Sequence, residues 1–230
     1  MRVVSFNIHH GTVGRKGPVD PERLGAVCAA FDADVIALQE VDEGTVRAKG
    51  RDLAAAAAEA AGMEHVFGSS QRLLGGRYGN ALLVRGEIHE TAVTRLPKVP
   101  RTRFWQEQRT VLEARVTAAQ TELWVASTHL AVKAWNNEPQ LDFLLEHVRS
   151  RPAPLLVLGD FNREGSAITP HLPDGLRLAA HGPTFPVHEP RRMIDHLIHS
   201  SVVTVRKAEV RSTEMSDHAA LVIDLAVGEG

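Results

Sequence analysis

Short apolar runs in this sequence repeatedly end in side chains able to bind a metal or move a proton. Asn7 follows Val3, Val4 and Phe6, Glu40 follows the apolar stretch 34–38, and His129 lies near the end of the alternating stretch 122–130. Asp160 and Asn162 close the run LLVLGDFN, Asp195 sits inside MIDHLI, and Asp217 with His218 precedes the last apolar run. On an extended backbone, residues two apart project to the same side. Asp160 and Asn162 would then offer one ionised oxygen and one amide to a common point, a pairing suited to a hard cation, a water or a phosphate oxygen. Taken singly, each residue has a plain structural explanation. An Asx turn closing a core strand accounts for Asp160, a solvated strand end for Glu40, a satisfied core imidazole for His129, and a cap or turn for Asp217. Gathered at one sheet edge, the carboxylates would repel one another unless a divalent ion neutralised them, so the set as a whole predicts a metal-dependent site.

The elements that must position these residues are legible from spacing. The stretch 2–7 reads as a strand. Asp20-Pro21-Glu22 is a helix start, with Asp as N-cap and Pro at the first helical position, and Leu24, Val27, Cys28 and Phe31 follow at helical spacing. A strand over 34–38 exits through Gln39-Glu40-Val41-Asp42, and the alanine-rich 52–61 is a helix ended by Gly62. Strands are expected over 64–68 and 79–84, with 87–93 pairing back on 79–84 through a short Arg85-Gly86 turn. The stretches 110–117 and 122–130 alternate and should form an antiparallel pair. A helix over 138–148 carries Leu141, Leu144, Leu145 and Val148 on one face. After the strand at 155–159 come a short helix over 164–171, a loop around Gly182-Pro183-Thr184-Phe185-Pro186, and strands over 193–198, 202–210 and 219–227. A few helices with roughly ten strands, many in hairpins, predict a layered α/β fold with mixed or antiparallel sheets.

Composition sets outer limits. The 230 residues, 43% of them hydrophobic, suffice for one large domain spanning 1–230. A formal charge of −2 gives no global basic field for nucleic acid. The single cysteine, Cys28, excludes an intrachain disulfide framework and suits a reducing compartment. Neither a leader-like segment nor a membrane-length apolar run is evident, so a cytoplasmic protein is expected. The twelve histidines raise the expectation that some titrate or bind metal.

The ordered set SFNIHHG, ALQEVD, YGNALLV, ASTHL, LLVLGDFN, RRMIDHLIH and SDHAALVIDL resembles the endonuclease/exonuclease/phosphatase superfamily, from Asn7 to Asp224. Any one motif is weakly specific; seven in the family's order are not. The resemblance implies a four-layer sandwich of two packed mixed or antiparallel β-sheets flanked by helices. It implies Glu40 as the main Mg²⁺ ligand, with Mn²⁺ also plausible, supported by Asn7 and by Asp217 at the same or a second position. It implies His218 as general base or phosphate contact oriented by Asp195, Asp160 as the group that aligns or deprotonates water, and Asn162 on a phosphoryl oxygen. His129 would donate to phosphate or the leaving group, and Asn80 would support the constellation.

One departure concerns the glutamate that the deoxyribonuclease branch pairs with its acid histidine. Gly75-Gly76-Arg77-Tyr78 stands there instead, leaving His129 without an evident carboxylate partner. Arg101, Arg103 and Arg109, around Phe104 and Trp105, read either as a substrate rim or as a solvated loop, and Arg47, Lys49 and Arg51 either as a phosphate clamp or as charged surface. The expected activity is Mg²⁺-dependent hydrolysis of a small or lipid-derived phosphate mono- or diester, with no partner protein implied. A nuclease using local basic loops is the alternative within enzymes, and an idle binding protein on the same fold is the alternative outside them.

Overall fold

The computed structural model describes residues 1–100 and 106–228. In chain order the elements are β1 (Arg2–Asn7), α1 (Pro21–Ala30), β2 (Val35–Glu43), α2 (Leu53–Ala61), β3 (Glu64–Leu73), β4 (Gly76–Val84) and β5 (Gly86–Arg95). There follow β6 (Thr110–Ala118), β7 (Thr121–His129), α3 (Ala134–Val148), β8 (Leu155–Asp160), α4 (Gly165–Ile168), β9 (Leu176–Leu178), β10 (Asp195–Ser200), β11 (Val203–Arg211) and β12 (Ala220–Val227). The strands form two six-stranded sheets, ordered β11-β12-β1-β2-β4-β3 and β5-β6-β7-β8-β10-β9.

Each sheet has one parallel pair near its middle. β1 runs parallel to β2 and β7 parallel to β8, whereas the remaining pairs are antiparallel. Parallel neighbours need a long crossover. The intervening helices, α1 for the first pair and α3 for the second, supply it and cover the outer faces of the sheets. Side-chain alternation builds the layers. Val3, Val35, Ala37, Leu156 and Leu158 point into the core between the sheets. Val4, Phe6, Ile36 and Leu38 face α1 and α2 on one outer side, and Leu155 and Val157 face α3 on the other. Strands buried on both faces in this way read in sequence as continuous apolar runs. The expected four-layer sandwich is thus present. Among the described residues, no helix is long and apolar enough to cross a membrane.

Three expectations need correction. Strands β4 and β5 are not a hairpin: β4 lies between β2 and β3 in one sheet, and β5 pairs with β6 in the other. Both sides of β4 are already filled, so the chain leaves that sheet at Gly86, whose φ of 151° and approach to Thr117 O leave no room for a Cβ. Strand β2 does not end at Leu38 but continues to Glu43 through a bulge. Helix α3 begins at Ala134 rather than at 138, with Pro139 inside it. Its first turns are fastened by buried amides, since Asn137 donates to Ala131 O and Phe161 O, and Gln140 to Pro97 O. By contrast, the Asp20 cap accepts from Arg23 N as expected, and the 52–61 helix is capped by Asp52 and closed by a left-handed Gly62. A short strand, β9, had no sequence signal.

Candidate active site

The two parallel pairs bring their carboxyl ends to one edge of the sandwich, the place where open α/β sheets offer a crevice. Asn7 pairs with Gln39 across β1 and β2, and His129 with Asp160 across β7 and β8. Because β10 runs antiparallel to β8, Asp195 at its start lies opposite Asp160. Strand β12 runs antiparallel to β1, so the segment that enters it, Ser216-Asp217-His218, arrives at the same edge. Glu40 is aimed there by the bulge in β2, where Gln39 and Glu40 together oppose Asn80 and Glu40 takes a φ of 58°. Of the ten non-glycine residues with positive φ among those described, His9, His10, Glu40, Asn162 and Ser216 lie at this edge. Such concentration of backbone strain is characteristic of functional sites.

The contacts are dense. Asn7 Nδ2 donates to Glu40 Oε1 and to Asp160 Oδ2, each at 3.1 Å, while its oxygen accepts from His9 N at 3.0 Å. Asn7 therefore bridges two carboxylates with its amide nitrogen. Asp160 Oδ1 accepts from Asn162 N at 2.8 Å, so the Asx turn expected from sequence is real and coexists with the site. Asn162 has turned off the extended path: its Nδ2 lies 3.1 Å from His129 Nε2 and donates to Leu130 O at 3.1 Å, so both its amide hydrogens are engaged. His129 does have a carboxylate neighbour, Asp160 Oδ2 at 3.4 Å. The fully buried Asp195 takes His218 Nδ1 at 2.9 and 3.2 Å and is itself held by Thr184 Oγ1 at 2.5 Å. His218 Nε2 stands 3.8 Å from Asp160 Oδ2, and the Phe185 ring lies 4.7 Å from the His218 ring.

The remaining expected residues fall into different places. Arg109 lines the cleft, buried, with its charge matched by Glu107 at 3.0 Å. Asn80 supports the site from behind by donating to Thr110 O at 3.2 Å, which ties β4 to β6 across the two sheets. Arg47 is locked to the buried Asp42 through two nitrogens, one at 2.8 Å, beside Tyr78, and is not among the residues lining the cleft. Arg103, with Arg101, Phe104 and Trp105, lies outside the described residues. Sequence reasoning missed Thr184, Phe185, Arg192, Val132 and Ile194, the first of which holds Asp195 while the others line the cleft of about 300 Å³. Only the Pro-flanked Thr184-Phe185 pair carried a local signal.

Burial and the nearby Asp195 push the Asp160 carboxyl up to about 7, against the pull of His218 and of the Asn162 and Asn7 N–H groups. For His218, burial favours the neutral ring. The bonded Asp195, with Asp160 and Asp217, overrides that and raises the imidazole to about 10. Burial, with the charges of Arg109, His218 and His10, holds His129 well below the usual imidazole range. The two histidines are thereby separated, one staying an imidazolium at neutral pH and the other a neutral ring.

The donor set fits a divalent ion. Among the described residues, the partners of Glu40 and Asp217 are an amide and imidazoles, with no arginine or lysine: His10 Nε2 lies 3.1 Å from Glu40 Oε2, and His9 Nδ1 lies 3.7 Å from Asp217 Oδ1. Neither carboxylate is tied up by a bonded arginine or lysine, so their oxygens are available to a divalent ion.

The sequence profile described as the Endonuclease/Exonuclease/phosphatase family matches residues 4–218. No curated protein sequence matches the chain. Among solved structures, an endonuclease/exonuclease/phosphatase from Beutenbergia cavernae superposes with a TM-score of 0.79 at 23% identity, over 99% of this chain and 71% of that one. A mannosyl-6-phosphatase from Bacteroides thetaiotaomicron gives 0.74 at 16% identity over 98% and 99% of the two chains. The human Nocturnin catalytic domain with a bound sulfate anion gives 0.71 at 21% over 99% and 94%. These structural likenesses bear on the fold, and the profile match runs through the strand ends that build the cleft, so the chain belongs to the endonuclease/exonuclease/phosphatase family.

Proposed function

We propose that the protein is a divalent-metal-dependent hydrolase of small phosphate esters, acting by in-line attack of water. The observation that carries this reading is the meeting, in one cleft, of Asp160 with the Asp195-bonded His218, beside two carboxylates, Glu40 and Asp217, whose partners are imidazoles and an amide rather than arginine or lysine. A group whose pKa lies near the working pH is the most effective proton acceptor. Asp160 therefore takes the proton of the attacking water. His218, fixed by Asp195, presents Nε2–H to a phosphoryl oxygen and does not serve as the base. Arg109 adds positive charge to the wall. Asn7 holds Glu40 and Asp160 at a fixed spacing, and Asn162 orients the neutral His129. Glu40 and Asp217 would hold the ion, which when bound supplies neutralisation of charge on the phosphoryl oxygens.

The size of the cleft favours a small substrate. About 300 Å³ is at the lower end for small-molecule sites, and Val132, Phe185 and Ile194 add apolar lining to it along with Arg192. A fold neighbour named as a mannosyl-6-phosphatase is consistent with that class. The test is one panel with Mg²⁺, Mn²⁺ or EDTA: a sugar phosphate, bis-p-nitrophenyl phosphate, a phospholipid and plasmid DNA. Turnover of the sugar phosphate or the small diester, abolished by EDTA, is expected. Preferential cleavage of plasmid would replace this reading with a nuclease, and no turnover with no bound metal would leave a binding protein.

A further inference from the structure

The loop after β1 carries two imidazoles that the proposed chemistry leaves unused. His9, His10 and Gly11 take φ values of 43°, 60° and 72°, three left-handed residues in succession. That turn throws both rings toward Glu40, and His9, His10 and Glu40 each offer a ligand atom within 4.8 Å of the other two. The closest pair is His10 Nε2 and Glu40 Oε2, 3.1 Å apart. A hydrogen bond has this length, and so do two adjacent ligands of one ion: donors about 2.1 Å from a metal at a right angle lie roughly 3.0 Å apart. His10 Nδ1 is buried without a partner among the described residues, so the ring turns Nε2 toward Glu40. With the ring proton on Nδ1, Nε2 presents a lone pair to an ion shared with Glu40. The ring is held from behind by Tyr78, 5.7 Å between centroids, and the His9 ring lies 5.1 Å from it. Glu40 comes to meet them on a bulge with its own positive φ, so the donors of this cluster all stand on displaced backbone.

We propose that His10 and His9 are ligands, together with Glu40, of the ion at this site, giving a mixed nitrogen and oxygen shell that selects a transition ion such as Mn²⁺ over Mg²⁺. The proposal rests on the metal-dependent reading above and narrows it. Imidazole suits first-row transition ions, whereas Mg²⁺ is held by oxygen and keeps its waters. Asn7 contributes indirectly, since its oxygen is occupied by His9 N and so fixes the start of the loop.

The test uses Mn²⁺ itself as probe on the purified full chain. Bound Mn²⁺ is counted by electron paramagnetic resonance, and electron spin echo modulation reads whether nitrogen is directly coordinated. The expected result is one bound ion whose echo carries strong ¹⁴N modulation, with Mn²⁺ bound at least about tenfold more tightly than Mg²⁺, a difference of the size set by ligand identity. In His10→Ala the ¹⁴N modulation falls and the preference for Mn²⁺ shrinks, with His9→Ala giving a smaller loss. The wild-type spectrum alone decides the matter should a variant fold poorly. Bound Mn²⁺ without nitrogen modulation, or equal affinity for the two ions, overturns this inference and leaves the metal-dependent reading standing. Absence of any bound Mn²⁺ refutes both.

Discussion

Asp195→Asn separates electrostatics from shape, because the amide nearly matches the carboxylate in size and removes only its charge. Asp195 is fully buried, in contact with His218 Nδ1 at 2.9 and 3.2 Å and with Thr184 Oγ1 at 2.5 Å. Breaking one side of a buried ion pair costs about 3–5 kcal/mol. The lower end is expected here, since Asp195 also helps push up Asp160, and its loss relieves that repulsion. The dependence on pH is the sharper part. His218 is raised in the folded protein to about 10 from an ordinary 6.5. Its stabilisation is therefore complete below about pH 6.5 and is lost as pH climbs through about 10. The gap between wild type and variant should be about 3 kcal/mol at pH 6 and should narrow steadily toward pH 10. Urea unfolding at a series of pH values measures the gap, and ¹⁵N shifts of the His218 ring report its proton, which in the variant should leave below pH 7. Activity at pH 7 should fall at least about 100-fold with the imidazolium gone. A gap under about 1 kcal/mol at pH 6, or one that stays constant to pH 10, would show that the pair does not hold the charge assigned to it.

Three further outcomes follow from other parts of the structure. In Glu40→Gln, calorimetry should show divalent-ion affinity reduced about tenfold or more, with metal-free stability changed by less than about 1 kcal/mol; unchanged binding would move the metal elsewhere. Arg47→Gln should cost about 2 kcal/mol, less than a fully buried pair because the guanidinium keeps some contact with water, and leave KM within about twofold. A rise in KM of about tenfold would restore a phosphate-clamping role for Arg47. Gly159→Ala places a Cβ 2.0 Å from Thr128 O at a φ of 157°, so the β7–β8 ladder must part; thermal melts should show a loss of about 3 kcal/mol or more, and a near-neutral result would mean the two strands are not packed as described.

What the sequence disclosed and what it hid divides along physical lines. The run 155–158 was legible as a strand because every residue is buried, alternately against the other sheet and against α3. Asp20 was legible because a cap is a local event, settled by one side chain and one N–H three residues on. Glu40 stood out as a candidate ligand from the motif around it, yet the bulge that aims it toward the cleft was not legible. A bulge is a relation between β2 and β4, and no single stretch encodes two residues set against one. Arg85-Gly86 misled for the same reason: a two-residue link ending in glycine is a turn unless both sides of the preceding strand are already taken. His9 and His10 lay in plain sight as a doublet. Their value depends on three consecutive positive φ angles, which composition does not announce.

The sheet order also sets when the cleft can exist during synthesis. The second sheet is an unbroken stretch of chain, β5 to β10, whereas the first joins β1–β4 to β11 and β12 from the far end. Until β12 emerges and inserts beside β1, that early strand waits with an open edge, a template for wrong pairing that the growing chain or a chaperone must shield. Asn7 and Glu40 are made early, but the imidazolium at position 218 comes with the last strand described. A nascent chain thus carries Glu40, Arg109 and Asp160 before His218 arrives. Hydrolytic competence waits on β12, and a product cut short before it would be inert and sticky rather than weakly active.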